Sequence, residues 1–261
     1  MRRLDPEFTK LAKTLDEAML KGEDLVRFTL ERPDLSIEDA YSIQDLVVNF
    51  RIRRGERVTG WKMGMTSKAK MRQMGVTEPI YGMLTDGMAV SDGGVVSLKG
   101  RIHPKIEPEV AFLINKDLEG PVSPAQVLQA TGGVCAALEV IDSRYRNFEF
   151  QLPDVVADNT SASGYVLGNF VRRTDRLDLG NLGIVMEVNG VPVQFGSTAA
   201  ILGHPARSIA ELVGMLAKRG LLLKAGSVVL AGGATAAVPL HAGDRVKLSI
   251  HHLGVAEVRV E

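Results

Sequence analysis

The sequence predicts an α+β fold, with an N-terminal helical region packed on a mixed, β-rich C-terminal domain. Three observations predict it. Apolar residues recur at helical spacing over the first 57 or so positions. Beyond them the apolar segments become short, β-branched and bracketed by glycine or proline. Helical and strand signals are also segregated along the chain, whereas a parallel α/β sheet would alternate them. No internal repeat or low-complexity linker interrupts the 261 residues. Two regions are expected: residues 1–75, mainly helical, and residues 76–261, a β-rich domain carrying the chemistry.

The first helix is read from Leu4, Phe8, Leu11, Leu15, Ala18 and Met19, which end at a turn near Lys21-Gly22-Glu23-Asp24. Ser36-Ile37-Glu38-Asp39 is a start signal, a serine followed three residues later by an acid. The stripe Ala40, Ile43, Leu46, Val47 and Phe50 follows, and Arg51, Arg53 and Arg54 complement the dipole at the helix end. Val58–Met65 reads as a glycine-bracketed strand, and Ser67–Met74 briefly returns to helical spacing. Glu78-Pro79-Ile80-Tyr81-Gly82 is expected to be a loop. Short strands are expected at Gly87–Val90, Gly94–Leu98, Glu107–Ile114, Ala136–Ile141 and Ser163–Leu167. Ser123-Pro124 caps a helix. Asn189-Gly190 between two β-rich runs calls for a type I′ hairpin. Pro205–Arg219 is a helix capped by His204, and Ser227–Val260 returns to strands.

Composition narrows the function. Lys+Arg and Asp+Glu balance at 31 each, so the basic excess expected of a nucleic-acid or membrane-surface protein is missing. The single cysteine, Cys135, excludes an intramolecular disulfide, and its small apolar neighbours suit a packed thiol. The first residues lack an apolar signal core. The longer uncharged runs, Gly120–Leu138 and Val188–Ala206, are broken by proline, glycine and polar residues, so no membrane span is expected. A cytoplasmic enzyme or binding protein is the expectation.

The chemistry is concentrated in His103–Phe112, which reads His-Pro-Lys-Ile-Glu-Pro-Glu-Val-Ala-Phe. Glu107 and Glu109 stand at i and i+2 of a strand and so share one face. Side-by-side carboxylates on an apolar element repel, and burial raises that cost. A divalent cation relieves it, and oxygen-only ligands suit Mg²⁺ or Mn²⁺ better than zinc. The same pattern also occurs as a solvated strand face. Pro108 between the acids implies an edge or a bulge. Glu139, flanked by aliphatics in Ala136–Asp142, is either a third carboxylate of the same site or an outward position on a half-exposed strand. Lys62, between Trp61 and Met63, is a candidate cationic anchor or proton donor, or a lysine that snorkels to solvent. Val155–Gly164 ends small, polar and turn-prone and could hydrogen-bond an anionic ligand or form an Asx-turn loop; Gly232–Ala236 would let backbone approach a ligand, and neither matches a phosphate-binding loop or a dinucleotide fingerprint. No histidine pair has metal-ligand spacing on a helix, and no nucleophile elbow is present.

Together, Gly60–Ser67, His103–Phe112, Leu138–Tyr145, Val156–Asn159 and Leu202–Pro205 resemble the 2-hydroxypentadienoate hydratase and 4-oxalocrotonate decarboxylase family, of the fumarylacetoacetate-hydrolase-like superfamily. The resemblance runs in order over nearly the whole chain. It implies a fumarylacetoacetase-like C-terminal domain and an enzyme of aromatic meta-cleavage catabolism. It implies Mg²⁺ or Mn²⁺ held by Glu107, Glu109 and Glu139, with Lys62 as the catalytic cation and Ser161 as a substrate contact. Asp142–Phe150 is similar to the decarboxylase version of its segment. The hydratases usually carry an acid in the stretch that here reads Pro79-Ile80-Tyr81-Gly82. The implied reaction is therefore decarboxylation of a 2-oxo dicarboxylic acid, with Ile80 and Tyr81 lining an apolar pocket. Hydration of the dienoate product, a hydrolase or isomerase of the wider superfamily, and a non-catalytic partner subunit are the alternatives. A homo-oligomer and a complex with the pathway hydratase are further expectations.

Overall fold

The fold is built around two stacked β-sheets, and the residues that approach the larger one explain where the site lies. The computed structural model describes residues 5–67, 71–72, 76–172 and 174–261. The helix expected at Ser67–Met74 falls largely outside the described residues.

Two helices open the chain. Helix α1 (Pro6–Lys21) starts at Asp5, whose carboxylate accepts from Glu7 N, and ends at Gly22 in the left-handed conformation. Helix α2 (Ile37–Arg53) starts with the expected capping box between Ser36 and Asp39. The two pack together, and an ion pair between exposed Arg54 and buried Asp16 ties them: Arg54 Nη1 lies 2.6 Å from Asp16 Oδ2. Gln44, wholly buried in α2, donates through Nε2 to the carbonyls of Tyr81 and Val156 at 3.0 and 2.9 Å. The helical layer is thereby bonded to the backbone of the layer beneath it.

Strand β1 (Val58–Gly64) enters the larger sheet at once. It pairs with β2 (Ile80–Thr85), a strand where a loop is expected. Every residue of β2 is buried, so it has no polar face and no alternation for the sequence to display. Gly82 within it is needed because a Cβ there would lie 2.6 Å from the carbonyl oxygen of Asn159. Short strands β3 (Ala89–Val90) and β4 (Val95–Val96) follow. The long pair β5 (Lys105–Ile114) and β6 (Thr131–Ile141) is connected by helix α3 (Pro124–Ala130). Helix α4 (Leu152–Ala157), which the sequence reading does not anticipate, precedes β7 (Ala162–Leu167). The Asn-Gly hairpin joins β8 (Gly183–Val188) to β9 (Val191–Ser197). Both Asn189 and Gly190 have positive φ, as a type I′ turn requires. Helix α5 (Pro205–Lys218) begins at His204, whose Nδ1 accepts from Ala206 N at 3.0 Å. Strands β10 (Val228–Leu230), β11 (Val238–Pro239), β12 (Arg245–Ile250) and β13 (Gly254–Val260) complete the chain.

The larger sheet is mixed, in the order β2-β1-β10-β5-β6-β7-β3, with β11 also pairing β5. The second has the order β4-β13-β12-β8-β9. Their facing residues form the core: Val246, Leu248, Ala256 and Val258 from one, Val134, Ala136, Leu138 and Val140 from the other, all essentially without solvent contact. Cys135 is part of a buried cluster on the opposite side of β6, where burial pushes its thiol up to about 12. No helix among the described residues is long and apolar enough to cross a membrane.

Candidate metal centre and active-site cleft

Register, not loop geometry, assembles the charged centre. β5 and β6 pair antiparallel with Glu107 directly opposite Glu139, and Glu109 is two residues further along on the face of Glu107. One oxygen from each of the three carboxylates falls within a sphere where all lie within 4.8 Å of one another. All three residues are buried. Pro108 sits between them without breaking the pairing to β6. Its carbonyl accepts from Ala234 N, on the side where β10 has ended and β11 has not begun. A strand residue's N–H and C=O point the same way, so the missing N–H of Pro108 faces that gap and costs no ladder bond.

The gap is filled by Gly232-Gly233. Gly232 N donates to Glu109 Oε2 at 2.7 Å. A Cβ on Gly233 would lie 2.6 Å from Glu107 Oε2. Gly232 has φ of 116° and would collide with Thr66 if it carried a side chain. Both glycines thus let the backbone come against the acids.

Lys62 reaches the acids from β1. Its ammonium is buried, 2.9 Å from Glu139 Oε1 and 3.0 Å from the carbonyl of Thr160, to which it donates. Burial alone would lower its pKa, but Glu139, Glu109 and Glu107 together outweigh burial and lift it above the ordinary lysine value. The acids move the same way. Burial, then Glu139, raises Glu109 well above the carboxylate range. Burial raises Glu139 as well, against the pull of Lys62. Among the described residues, neither Glu139 oxygen nor Glu109 Oε1 has an N–H or hydroxyl donor besides the Lys62 ammonium. Lys62 alone does not balance the buried carboxylates of Glu109 and Glu139. Orphaned, converging oxygens of this kind fit a hard divalent cation.

The wall opposite the acids is the turn after α4. Asn159, Thr160 and Ser161 all have positive φ, at 48°, 53° and 57°, a costly run for three residues with side chains. Asn159 offsets the cost by pairing with the backbone of Met83 in both directions. Thr160 Oγ1 donates to the Tyr81 carbonyl at 2.8 Å. Ser161 is left with its hydroxyl buried and without a partner among the described residues. Beneath the turn lies a second buried ion pair. The Arg144 guanidinium donates to the carboxylate and the carbonyl of Asp158, and at 2.7 Å to the carbonyl of Asp142. Burial raises Asp158 to about 6 despite this cation.

These elements surround a cleft of about 430 Å³ lined by Lys62, Gly64, Met65, Ile80, Lys105, Glu107, Ile141, Phe148, Phe150, Val155, Thr160 and Ser161. Ile80 and Ser161 line it. Tyr81 does not, because consecutive strand residues face opposite ways. Its ring stacks on Tyr41 at 4.4 Å and its hydroxyl accepts from Arg219 at 2.8 Å. Lys105, Phe148 and Phe150 line the cleft although the sequence reading gave them no role. For Lys105 a signal existed: it precedes Glu107 by two residues and shares its face. The two phenylalanines come from a segment without periodicity.

Residues 56–261 match the model of the fumarylacetoacetate (FAA) hydrolase C-terminal family. The chain belongs to that family. Among its curated relatives, 4-oxalocrotonate decarboxylase of Pseudomonas sp. strain CF600 is 46% identical over 249 residues, covering 95% of this chain and 94% of that protein. The 2-hydroxyhexa-2,4-dienoate hydratase of Comamonas testosteroni is 39% identical over 248 residues, 94% of each. The solved structure of 4-oxalocrotonate decarboxylase from Pseudomonas putida G7, complexed with magnesium and adipate, has a TM-score of 0.95 at 41% identity, covering 98% of this chain and 97% of that one.

Proposed function

We propose that this chain is a metal-dependent carboxy-lyase that converts 2-oxohex-3-enedioate (4-oxalocrotonate) to 2-hydroxypenta-2,4-dienoate and CO₂ in the meta-cleavage route of aromatic degradation. The observation that carries this reading is the distribution of charge in the cleft. Lys62 and Glu107 line it together, with Glu109 and Glu139 fully buried beside them, and the walls are mainly apolar. Among the described lining residues no carboxylate besides Glu107 is present to act as acid and base for adding water. The relatives agree: decarboxylases match at 44–46% identity, and hydratases at 39% or less.

Glu107, Glu109 and Glu139 would hold the cofactor, Mg²⁺. When bound, the ion supplies Lewis-acid stabilisation of negative charge developing on a substrate oxygen. Lys62 contributes a fixed positive charge in a water-poor site, where it is worth more than in solvent. As the C5–C6 bond breaks, its electron pair passes through the C3=C4 bond onto the keto oxygen. Lys62 stabilises the charge that arrives there. Ser161, with no hydrogen-bond partner among the described residues, donates its hydroxyl hydrogen in a hydrogen bond to the substrate and orients it. The apolar walls, Ile80 among them, exclude water from the carboxylate that leaves.

The test is direct. Purified protein with Mg²⁺ is given 2-oxohex-3-enedioate and, separately, 2-hydroxypenta-2,4-dienoate, with ultraviolet absorbance and CO₂ followed. Consumption of the diacid with stoichiometric CO₂ is expected, with the dienoate left unchanged. Hydration of the dienoate alone would overturn the reading in favour of a hydratase.

A further inference from the structure

The cleft contains a second cation that the chemistry above does not use. Lys105 stands on β5 two residues before Glu107 and so projects from the same face as the metal-site acids. It is half-buried and lines the cleft. Its ammonium makes no ion pair with any described residue. Its partner is an aromatic face, with Nζ 4.0 Å from the ring centroid of Phe148. That ring is also packed on His103, at 4.6 Å between centroids. Phe148 is itself held in an unfavourable conformation, with φ of 57° directly after Asn147 at 57°. A bulky residue in that region marks a segment whose geometry is enforced by its surroundings.

A ring face attracts an ammonium without saturating its three N–H donors. Lys105 is therefore half-desolvated, partly held, and still able to bond an anion inside the cleft. Taking the decarboxylase reading as given, the substrate carries two carboxylates. The 2-oxo acid end belongs with the acids, their metal and Lys62. Among the described lining residues, Lys105 is the one further cation. We infer that Lys105 recognises the second carboxylate and makes the site selective for dicarboxylic over monocarboxylic acids.

The aromatic partner gives this contact a particular strength. A carboxylate destined to leave as CO₂ loses its charge in the transition state. An ion pair to it therefore stabilises the bound substrate more than the transition state, and lowers KM without raising kcat. A firm bidentate grip would slow the reaction. An ammonium shared with the ring of Phe148 makes a looser one. Lys105 is thus a specificity-determining residue, and its loss separates KM from kcat.

The experiment uses adipate and hexanoate, six-carbon acids that differ by one carboxylate, titrated calorimetrically into the Mg²⁺-loaded protein. Wild type is expected to bind adipate about tenfold more tightly than hexanoate, the discrimination of one charge-assisted contact. Lys105→Met is expected to abolish the preference by weakening adipate while leaving hexanoate unchanged. Lys105→Gln makes the same comparison if the methionine variant does not fold. With 2-oxohex-3-enedioate, Lys105→Met should raise KM about tenfold with kcat within about twofold. Lys105→Arg should keep the adipate preference and lower kcat, because its planar fork grips carboxylates in two places. Equal binding of adipate and hexanoate by wild type, or a preference that survives in Lys105→Met and Lys105→Gln, overturns the inference. CO₂ release by wild type is measured separately. Its absence would sink the decarboxylase reading, while the binding comparison would still decide the role of Lys105.

Discussion

Replacing Arg144 by leucine removes the cation under the active-site turn and strands Asp158 in the interior. Both side chains have almost no solvent contact. The guanidinium also serves the carbonyls of Asp142 and Asp158, so its loss leaves acceptors as well as a charge. Breaking a buried pair by removing one partner costs about 3–5 kcal/mol. In a chain of this size that lowers Tm by roughly 10 °C. The penalty depends on pH. Asp158 lies at about 6 when folded, against an ordinary 3.8, so the folded state binds the proton more tightly than the unfolded one. Its favourable contribution is complete below about pH 4 and is lost as pH rises through about 6, a change of roughly 3 kcal/mol. Without Arg144 the carboxyl is raised further, so Arg144→Leu costs most above pH 7 and least near pH 5. Thermal unfolding of wild type, Arg144→Leu, Asp158→Asn and the double variant, followed by circular dichroism at pH 5 and pH 8, measures this directly. A double variant as unstable as the sum of the singles at pH 8 would refute the reasoning. So would an Arg144→Leu penalty that is the same at both pH values.

Four further outcomes are expected. Lys62→Met should lose at least about a hundredfold in kcat while Mg²⁺ binding by calorimetry persists; an unchanged rate would end the catalytic role of Lys62. Glu139→Gln should bind Mg²⁺ at least tenfold more weakly, roughly the loss of one charged ligand. Gly233→Ala should displace the Glu107 carboxylate, which its Cβ would meet at 2.6 Å, and weaken Mg²⁺ binding with little change in far-ultraviolet dichroism. Chelation with EDTA should abolish CO₂ release, and added Mg²⁺ should restore it.

The acids could be found in the sequence because a strand writes its faces with a period of two. Glu107 and Glu109 announce a shared face, and Glu139 is conspicuous among aliphatics. The helix starts at Ser36, Ser123 and His204 and the Asn189-Gly190 hairpin were legible because capping and turn chemistry are local. Strand β2 was not, since residues buried on both faces do not alternate. For the same reason Ile80 and Tyr81 could not be separated: only strand geometry turns one to the cleft and the other to Tyr41. Helix α4 is one and a half turns long, too short for a periodic signal. That Asp158 lies under Arg144 and that Lys105 meets Phe148 are facts of tertiary contact, which no local pattern encodes.

The tripeptide Asn159-Thr160-Ser161 carries a consequence for how such a site tolerates change. Its backbone suits glycine at all three positions, so glycine substitutions there relax the chain locally. Yet Asn159 is clasped to β2, Thr160 is bonded to β2 and turns its carbonyl to Lys62, and Ser161 faces the cleft. In a survey of point variants, the replacements that best suit the local backbone at these positions should be among the most damaging to turnover. Folding preference and turnover therefore pull in opposite directions at this corner of the cleft.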